Sequence, residues 1–280
     1  MPEAVRAVWT IGALLLGLCV GSFVNVLIFR LPRGRSVVAP RSHCFCCGTE
    51  LAARDLIPVL SYLLAGRRCR YCGVALSAQY VWVEALCGLL YAGIAWRWGL
   101  TLPTFVYFVA AAAMLAGFGT DVRHKIIPSE LNAAVFFAGL AGSLGGAAVR
   151  RLAPLDAPLL LGDAPLPTPG AALLGAVVGY LVFETIVRVG RRIFGQEAMG
   201  GGDVLLAAAV GTLLGPGRRF GAFFLLGILG GALVGVLLML TGKLSRREPM
   251  PFGPFLIVAA LVTLLWPQLG DAVARLYGFG

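Results

Sequence analysis

The chain has 280 residues, of which 59% are hydrophobic and only 13% are charged. A soluble domain cannot bury that much apolar surface, so the composition excludes an ordinary soluble enzyme and indicates a multi-spanning helical membrane protein. The net charge of +10 does not indicate nucleic acid as a partner. The basic residues fall in short loops between apolar runs, where they orient a membrane protein.

Apolar runs predict helices at eight places in chain order, which are 7–29, 80–97, 103–120, 131–149, 170–187, 204–214, 220–241 and 252–267. Seven of these runs are long enough to cross a bilayer. The run 204–214 would reach only about 16 Å into a hydrocarbon core of about 30 Å. Either it crosses in part, or its start already lies below the membrane surface. We therefore expect an all-α polytopic membrane protein with about eight transmembrane helices.

Arginine and lysine residues indicate how the chain is oriented. If the amino terminus lies outside and all eight runs cross, 16 of the 23 basic residues fall in inner loops, and such an excess marks the cytoplasmic side. We therefore expect a first transmembrane helix in 1–30, a cytoplasmic loop domain in 31–79 and a multi-span domain in 80–280. This orientation also places Asp121 and Asp203 on the same, cytoplasmic face.

Two Cys-x-x-Cys-Gly knuckles, separated by 21 residues, lie in the loop 31–79. This spacing predicts a zinc ribbon whose four thiolate ligands are Cys44, Cys47, Cys69 and Cys72. Four thiolates leave no open position on the metal, so the zinc would be structural. The alternative is a pair of disulfides, which a reducing cytoplasm disfavours. Cys46 is then a spare thiol, and His43 beside the first knuckle is an alternative ligand.

Two aspartates stand at the ends of apolar runs in a chain with only 13 acidic residues. Asp121 closes the run 103–120, and Asp203 opens the run 204–214. Carboxylates at the edge of a membrane segment are costly and are therefore candidates for a function. If the two approach closely, they share one proton, and the pair is suited to aspartic-type peptide hydrolysis. The structural alternative is that each aspartate only ends its helix, with Asp203 as an N-cap.

Three glycines, Gly200, Gly201 and Gly202, directly precede Asp203. Without side chains they would let an extended substrate backbone come close to the carboxylate, so we expect them to bind substrate. Glu197 lies just before them and is a further candidate for substrate contact, with a plain surface role as the alternative. Other hydrolytic chemistry is not indicated, because the two histidines stand near no convincing serine motif.

The chain resembles the bacterial type IV prepilin leader peptidase and N-methyltransferase family, whose members are aspartic membrane peptidases of the GxGD type. The resemblance covers nearly the whole length. Besides the two cysteine knuckles, the matching segments are Gly21-Ser22-Phe23-Val24-Asn25-Val26 with Arg30-Leu31-Pro32, Ile57-Pro58-Val59-Leu60-Ser61-Tyr62, Tyr80 with Glu84, Asp121 with Ile127-Pro128, Glu197-Ala198-Met199-Gly200-Gly201-Gly202-Asp203, and Pro251-Phe252-Gly253-Pro254-Phe255-Leu256.

This resemblance implies a peptidase in the bacterial inner membrane. Its substrates would be type IV prepilins or the related pseudopilins of type II secretion, cut on the cytoplasmic side just after a glycine. Asp121 and Asp203 would carry the reaction. The resemblance further implies that S-adenosylmethionine serves to methylate the new amino terminus, although no sequence motif assigns residues to that cofactor. Neither the particular pilin nor the oligomeric state follows from the sequence.

The chain also departs from the family pattern. Leu205 stands where the family usually has a lysine two residues after the second aspartate, and Ser129 stands where it often has Asp or Asn. A lysine beside Asp203 would favour an ionised carboxylate, so its absence points to a specialised or weakened peptidase. Ala53-Arg54 replaces an aromatic pair that is common in the family.

Three other functions compete with the full assignment. One is a peptidase that lacks methyl transfer. A second, from a different class, is a proton-coupled transporter that uses Asp121 and Asp203 as relay sites, although the chain shows no clear internal repeat of the kind found in transporters. The third is a noncatalytic assembly factor, which the departure at Leu205 makes more plausible.

Overall fold

The computed structural model describes residues 2–194, 199–242 and 250–276. These residues form helices and no extended strand. The helices are α1 (Glu3–Arg30), α2 (Leu60–Leu64), α3 (Gln79–Trp98), α4 (Leu102–His124), α5 (Ser129–Leu152), α6 (Ala157–Leu161), α7 (Pro169–Phe194), α8 (Gly201–Leu214), α9 (Arg218–Leu240), α10 (Gly253–Leu265) and α11 (Pro267–Leu276). The prediction of an all-α protein is confirmed.

Five helices within the described residues are long and apolar enough to cross a membrane, and they are Glu3–Arg33, Leu102–His124, Ser129–Leu152, Pro169–Ile193 and Arg218–Leu240. Two shorter apolar helices are α8, with 14 residues, and α10, with 13. The polytopic character is therefore confirmed, whereas a total of eight crossing helices stays a prediction. At about 1.5 Å per residue, α8 extends for about 21 Å and remains shorter than a bilayer core.

The chain divides into two compact units, Met1–Gly99 and Leu100–Gly280. In the first unit, α1 and α3 run antiparallel and pack closely through glycines. A Cβ atom on Gly21 would lie 2.6 Å from the Cα of Glu84, and one on Gly17 would lie 2.8 Å from the Cα of Gly88. These glycines therefore bring α3 against α1 within the first unit.

The second unit is built from α4 to α11. In this unit α5 packs against both α4 and α8, α7 packs against α8, and α10 packs against both α4 and α9. Glycines on α9 receive side chains from the α10 segment: a Cβ on Gly227 would lie 2.7 Å from Leu256 and one on Gly231 would lie 2.5 Å from Phe252. At the start of α10, Gly253 lies against the side chain of Asp121, near the carboxyl end of α4.

Candidate functional site

The two cysteine knuckles of the first unit have the same backbone geometry. In each, the glycine after the second cysteine has a positive φ, +70° at Gly48 and +72° at Gly73. The amide of that glycine donates to the carbonyl of the first cysteine, at 2.9 Å for both Cys44 and Cys69. The left-handed conformation is what glycine adopts at little cost, so the Cys-x-x-Cys-Gly pattern is explained by the turn it forms.

The fold brings four cysteines into one cluster, in which all four sulfur atoms lie within 4.8 Å of one another. The Sγ atoms of Cys44 and Cys72, which come from different knuckles, are 3.8 Å apart. Tetrahedral zinc with Zn–S bonds of about 2.3 Å requires sulfur atoms about 3.8 Å apart. The cluster therefore has the size of a four-thiolate metal site, and it consists of the predicted ligands Cys44, Cys47, Cys69 and Cys72.

Hydrogen bonds to two of these sulfurs favour the thiolate form that a metal requires. Bonding to Thr49 lowers the pKa of Cys47 to about 6. Backbone hydrogen bonds from Cys72 and Tyr71 lower the pKa of Cys69. At Cys72 a backbone hydrogen bond from Val74 favours the thiolate, but burial and hydrogen bonds with the other three sulfurs raise its pKa to about 12, so a metal ion would displace the proton of this thiol on binding.

The two alternative metal ligands, Cys46 and His43, do not join the cluster. Cys46 is exposed and free, and the Nδ1 atom of His43 lies 3.0 Å from the carbonyl oxygen of Arg41. All seven cysteines are free thiols, so disulfides do not hold the knuckles together.

Asp55 connects the segment between the knuckles to the second knuckle. Its carboxylate accepts the hydroxyl of Tyr71 at 2.7 Å and the amide of Ala52 at 3.2 Å, and it pairs with Arg70 at 3.0 Å. These donors, with Tyr71 the strongest, hold the pKa of Asp55 below its usual range. The carboxylate is therefore ionised at neutral pH and links the segment between the knuckles to the second knuckle.

In the second unit, Asp121 lies in the last turn of α4 and is only 5% exposed. The helix ends just after it, at Lys125, whose backbone is left-handed with a φ of +56° and whose amide donates to the Asp121 carbonyl at 2.8 Å. The amide of Gly253, the first residue of α10, faces the Asp121 carboxylate. The Oδ2 atom of this carboxylate is buried and has no hydrogen-bond partner among the described residues.

Asp203 lies in the first turn of α8 and is 7% exposed. Gly200, not Asp203, is the N-cap residue of α8, so the alternative of Asp203 as an N-cap is wrong. Asp203 is the third helical residue, and its Oδ2 atom accepts the Gly200 amide at 3.2 Å. An exposed aspartate would serve equally well in the first turn of a helix. The position of Asp203 at the start of α8 therefore does not explain why its carboxylate is buried.

Packing around Ile127 brings the two aspartate segments together. A Cβ atom on Gly202 would lie 3.2 Å from the Cβ of Ile127. One on Gly253 would lie 2.6 Å from the Cδ1 of Ile127 and 2.7 Å from the Oδ2 of Asp121. Ile127 is 8% exposed and so fills the space between these segments. The Asp121 and Asp203 carboxylates lie close enough to interact electrostatically.

Asn132 and Gly253 are residues of this site to which the sequence interpretation gave no role. Asn132, in the first part of α5, is 4% exposed, and its Nδ2 atom donates to the Gly202 carbonyl at 3.0 Å. Gly253 was noted only as part of a motif. The signal that could have identified Asn132 is an amide side chain in an otherwise apolar run, four residues after Pro128, the N-cap residue of α5.

The three glycines before Asp203 have different surroundings. A Cβ on Gly201 would meet nothing within 4 Å, and one on Gly200 would approach only to 3.9 Å of Asp203. Gly202 instead packs against Ile127. Glu197, the further candidate for substrate contact, lies outside the described residues.

Leu205 does not share the face of α8 that carries the Asp203 carboxylate. Two residues along a helix correspond to a rotation of about 200°, and the Leu205 side chain is 44% exposed while Asp203 is buried. The departure from the family pattern at Leu205 therefore lies on a different face of α8 from the Asp203 carboxylate.

Fold and site together define a class: a polytopic helical membrane protein with two buried, interacting aspartates and a four-cysteine loop. Residues 15–98 match the bacterial peptidase A24 N-terminal domain, and residues 108–236 match the type IV leader peptidase family. These two matches follow the division of the chain into two units. The chain belongs to the type IV leader peptidase family.

Curated relatives support this assignment over most of the chain. Proteins named prepilin leader peptidase/N-methyltransferase are 32% identical in Bacillus subtilis, over 93% of this chain and 94% of the relative, and 31% identical in Pseudomonas aeruginosa, over 94% and 91%. One from Myxococcus xanthus is 38% identical over 83% of this chain and 64% of the relative. No solved structure gives a significant match.

Proposed function

We propose that this protein is a membrane aspartic endopeptidase that removes the leader peptide from type IV prepilins or type II secretion pseudopilins. The observation that carries the proposal is the pair of buried carboxylates, Asp121 and Asp203, which interact across the contact of Ile127 with Gly202 and Gly253. The names of the relatives supply the substrate class. The proposed site of action is the cytoplasmic face of the bacterial inner membrane, and the excess of basic residues in the inner loops supports it.

In the proposed reaction the two carboxylates share one proton. The ionised carboxylate removes a proton from a water molecule, which attacks the scissile carbonyl carbon. The protonated carboxyl group donates to the carbonyl oxygen, giving a tetrahedral intermediate. Collapse of the intermediate breaks the C–N bond, and the leaving nitrogen takes a proton from the pair. The Oδ2 atom of Asp121, which has no hydrogen-bond partner in the described part of the chain, supports this role because it has an acceptor position available for the water.

The substrate backbone is proposed to approach over Gly200 and Gly201. Both positions have open space where a side chain would stand, and an extended peptide needs such space to reach a buried carboxylate. Gly202 contributes from the other side, since its contact with Ile127 positions the start of α8. Glu197 is proposed as a weaker contact to the substrate.

A second step, methylation of the new amino terminus, is proposed from the names of the relatives. S-adenosylmethionine would supply the methyl group to the unprotonated amine, and the sequence assigns no residues of this chain to it. The alternative is a peptidase without this activity. The basic inner loops, which include Arg123 and Lys125 at the end of α4, are proposed to contact anionic lipid phosphates of the inner leaflet.

Cleavage of a prepilin by the purified protein in detergent micelles tests the proposed function. The expected result is a shorter product that lacks the basic leader, and with S-adenosylmethionine present its mass is higher by about 14 Da, one CH2 group. A shorter product without the added mass indicates a peptidase that lacks methyl transfer. An intact prepilin after prolonged incubation would favour the transporter or the assembly factor instead.

We propose that the four-cysteine cluster holds structural zinc. Purified protein is expected to contain about one zinc ion per chain, and Cys44→Ser or Cys69→Ser is expected to remove it, because a site with three thiolates binds zinc far less tightly. Cys46→Ser, in the same knuckle but outside the cluster, is the matched control and is expected to keep full zinc. Elemental analysis of the three variants makes the comparison. Equal zinc loss in Cys46→Ser and Cys44→Ser would contradict this ligand set.

A further inference from the structure

Two buried oxygen atoms near Gly202 and Gly253 accept no hydrogen bond from the residues that the structure describes. They are Oδ2 of Asp121 and Oδ1 of Asn132. The proposed hydrolysis uses Oδ2 of Asp121 but gives no role to Oδ1 of Asn132. A buried acceptor without a donor is costly, and native proteins rarely keep one unless it serves a ligand or water. The Asn132 side chain is more than nine-tenths buried, so bulk solvent does not compensate it.

The hydrogen bond between Asn132 and Gly202 fixes the orientation of the Asn132 side-chain amide. The carbonyl oxygen of Gly202 lies 3.0 Å from this amide and can only accept. The side-chain nitrogen must therefore face Gly202, and the oxygen occupies the other branch of the amide. This leaves an acceptor beside the segment that carries Asp203.

We propose that Asn132 is a substrate-binding residue whose Oδ1 atom accepts a hydrogen bond from a backbone N–H of the prepilin at the cleavage site. The inference rests on the proposed peptidase function. The Nδ2 atom of Asn132 at the same time donates to the Gly202 carbonyl. One side chain therefore aligns the substrate backbone with the segment that carries Asp203.

The chemistry of an extended peptide fits this acceptor. Each substrate residue other than proline brings one backbone N–H that loses water when it enters a buried site and then needs a partner. Gly200 and Gly201 leave room for that backbone, and Asn132 offers the acceptor next to Gly202. The contact is independent of substrate side chains, so it suits an enzyme that processes several prepilins with different sequences.

Peptides with single N-methylated amides test the inference. Prepilin peptides that span the leader and the start of the mature chain are methylated at one backbone nitrogen at a time around the cut. With the native enzyme, methylation of the N–H that meets Asn132 is expected to lower kcat/KM by about 10- to 100-fold. Asn132→Ala is expected to lower kcat/KM for the unmodified peptide by a similar factor, and to show no further loss with that methylated peptide.

The pattern across the peptides separates the possible outcomes. If Asn132→Ala and every N-methylation lower kcat/KM by independent factors, the proposed hydrogen bond does not exist, and Asn132 only supports Gly202. If the native enzyme cleaves none of the unmodified peptides or full-length prepilins, the proposed peptidase function fails instead. The two failures are therefore distinguishable.

Two further variants separate substrate binding from folding. Asn132→Asp loses the donor to Gly202 but keeps an acceptor oxygen, so it is expected to retain the sensitivity to N-methylation even where Asn132→Ala fails to fold. Loss of that sensitivity in Asn132→Asp would overturn the proposal. Ser143→Ala is the matched control on α5, because the buried Ser143 hydroxyl donates to Leu140 at 2.8 Å; its N-methylation profile is expected to equal that of the native enzyme.

Discussion

Asp203→Asn and Asp121→Asn are each expected to slow leader cleavage by about 10³-fold, because asparagine can neither take nor give the proton that the pair transfers. Asparagine has nearly the same shape, and at position 203 its oxygen can still accept the Gly200 amide, which lies 3.2 Å from Oδ2 in the native chain. The fold should therefore persist. Initial rates with a purified prepilin, measured by the appearance of the shorter product, make the comparison.

Further variants distinguish a shared mechanism from two separate effects. The double variant with both asparagines is expected to be about as slow as either single variant, since residues that act as a unit are not additive. Asp163→Asn, an exposed aspartate between α6 and α7, is the control and should cleave at the native rate. Native-like cleavage in either Asp121→Asn or Asp203→Asn would remove that residue from the mechanism.

Gly253→Ala is expected to reduce cleavage by about 10²-fold, the loss that a displacement of about 1 Å in a catalytic group produces. The added methyl would stand 2.7 Å from Oδ2 of Asp121 and 2.6 Å from Cδ1 of Ile127. Both atoms lie at the ends of side chains, so the protein can relieve the clash by moving them. The relief displaces the Asp121 carboxylate from its position beside Asp203, and cleavage rates measured with the same prepilin report it.

A second glycine provides the control for helix propensity. Gly221→Ala on α9 adds a methyl where nothing lies within 4 Å, so native activity is expected. Thermal unfolding of both variants in detergent should stay close to that of the native protein. If Gly253→Ala cleaves at the native rate, the position of Asp121 relative to Gly253 does not matter for the reaction. That result would contradict a role in catalysis for the packing around Ile127.

Much of the protein could be predicted because the signals are local. Hydropathy identified a helix at each of eight places, since lipid accepts only backbone segments that satisfy their own hydrogen bonds. The knuckle spacing identified Cys44, Cys47, Cys69 and Cys72 because each half of the cluster is a single turn, closed by Gly48 or Gly73. Both kinds of signal lie within a few residues of the feature they predict.

Other features could not be predicted because they depend on helices that are distant in the sequence. The loop charges predicted a common membrane face for Asp121 and Asp203, but a common face does not bring two side chains together. Their approach depends on Ile127 packing between Gly202 and Gly253, and nothing in the sequence indicates that Ile127 contacts either glycine. The orientation of the Leu205 side chain likewise could be assigned only from the packing of α8 in the structure.

The amino-acid sequence by itself determined the class of the fold and the four cysteines that form one cluster, and it singled out the two aspartates, because apolar length, thiol spacing and the cost of charge near lipid are properties of short segments. The tertiary structure alone decided that α3 packs with α1, that Gly253 stands against Asp121, and that Asn132 donates to Gly202 while its Oδ1 atom has no partner among the residues described. These contacts join segments up to 132 residues apart, from Asp121 to Gly253, and only close packing of glycine-bearing helices determines which segments meet.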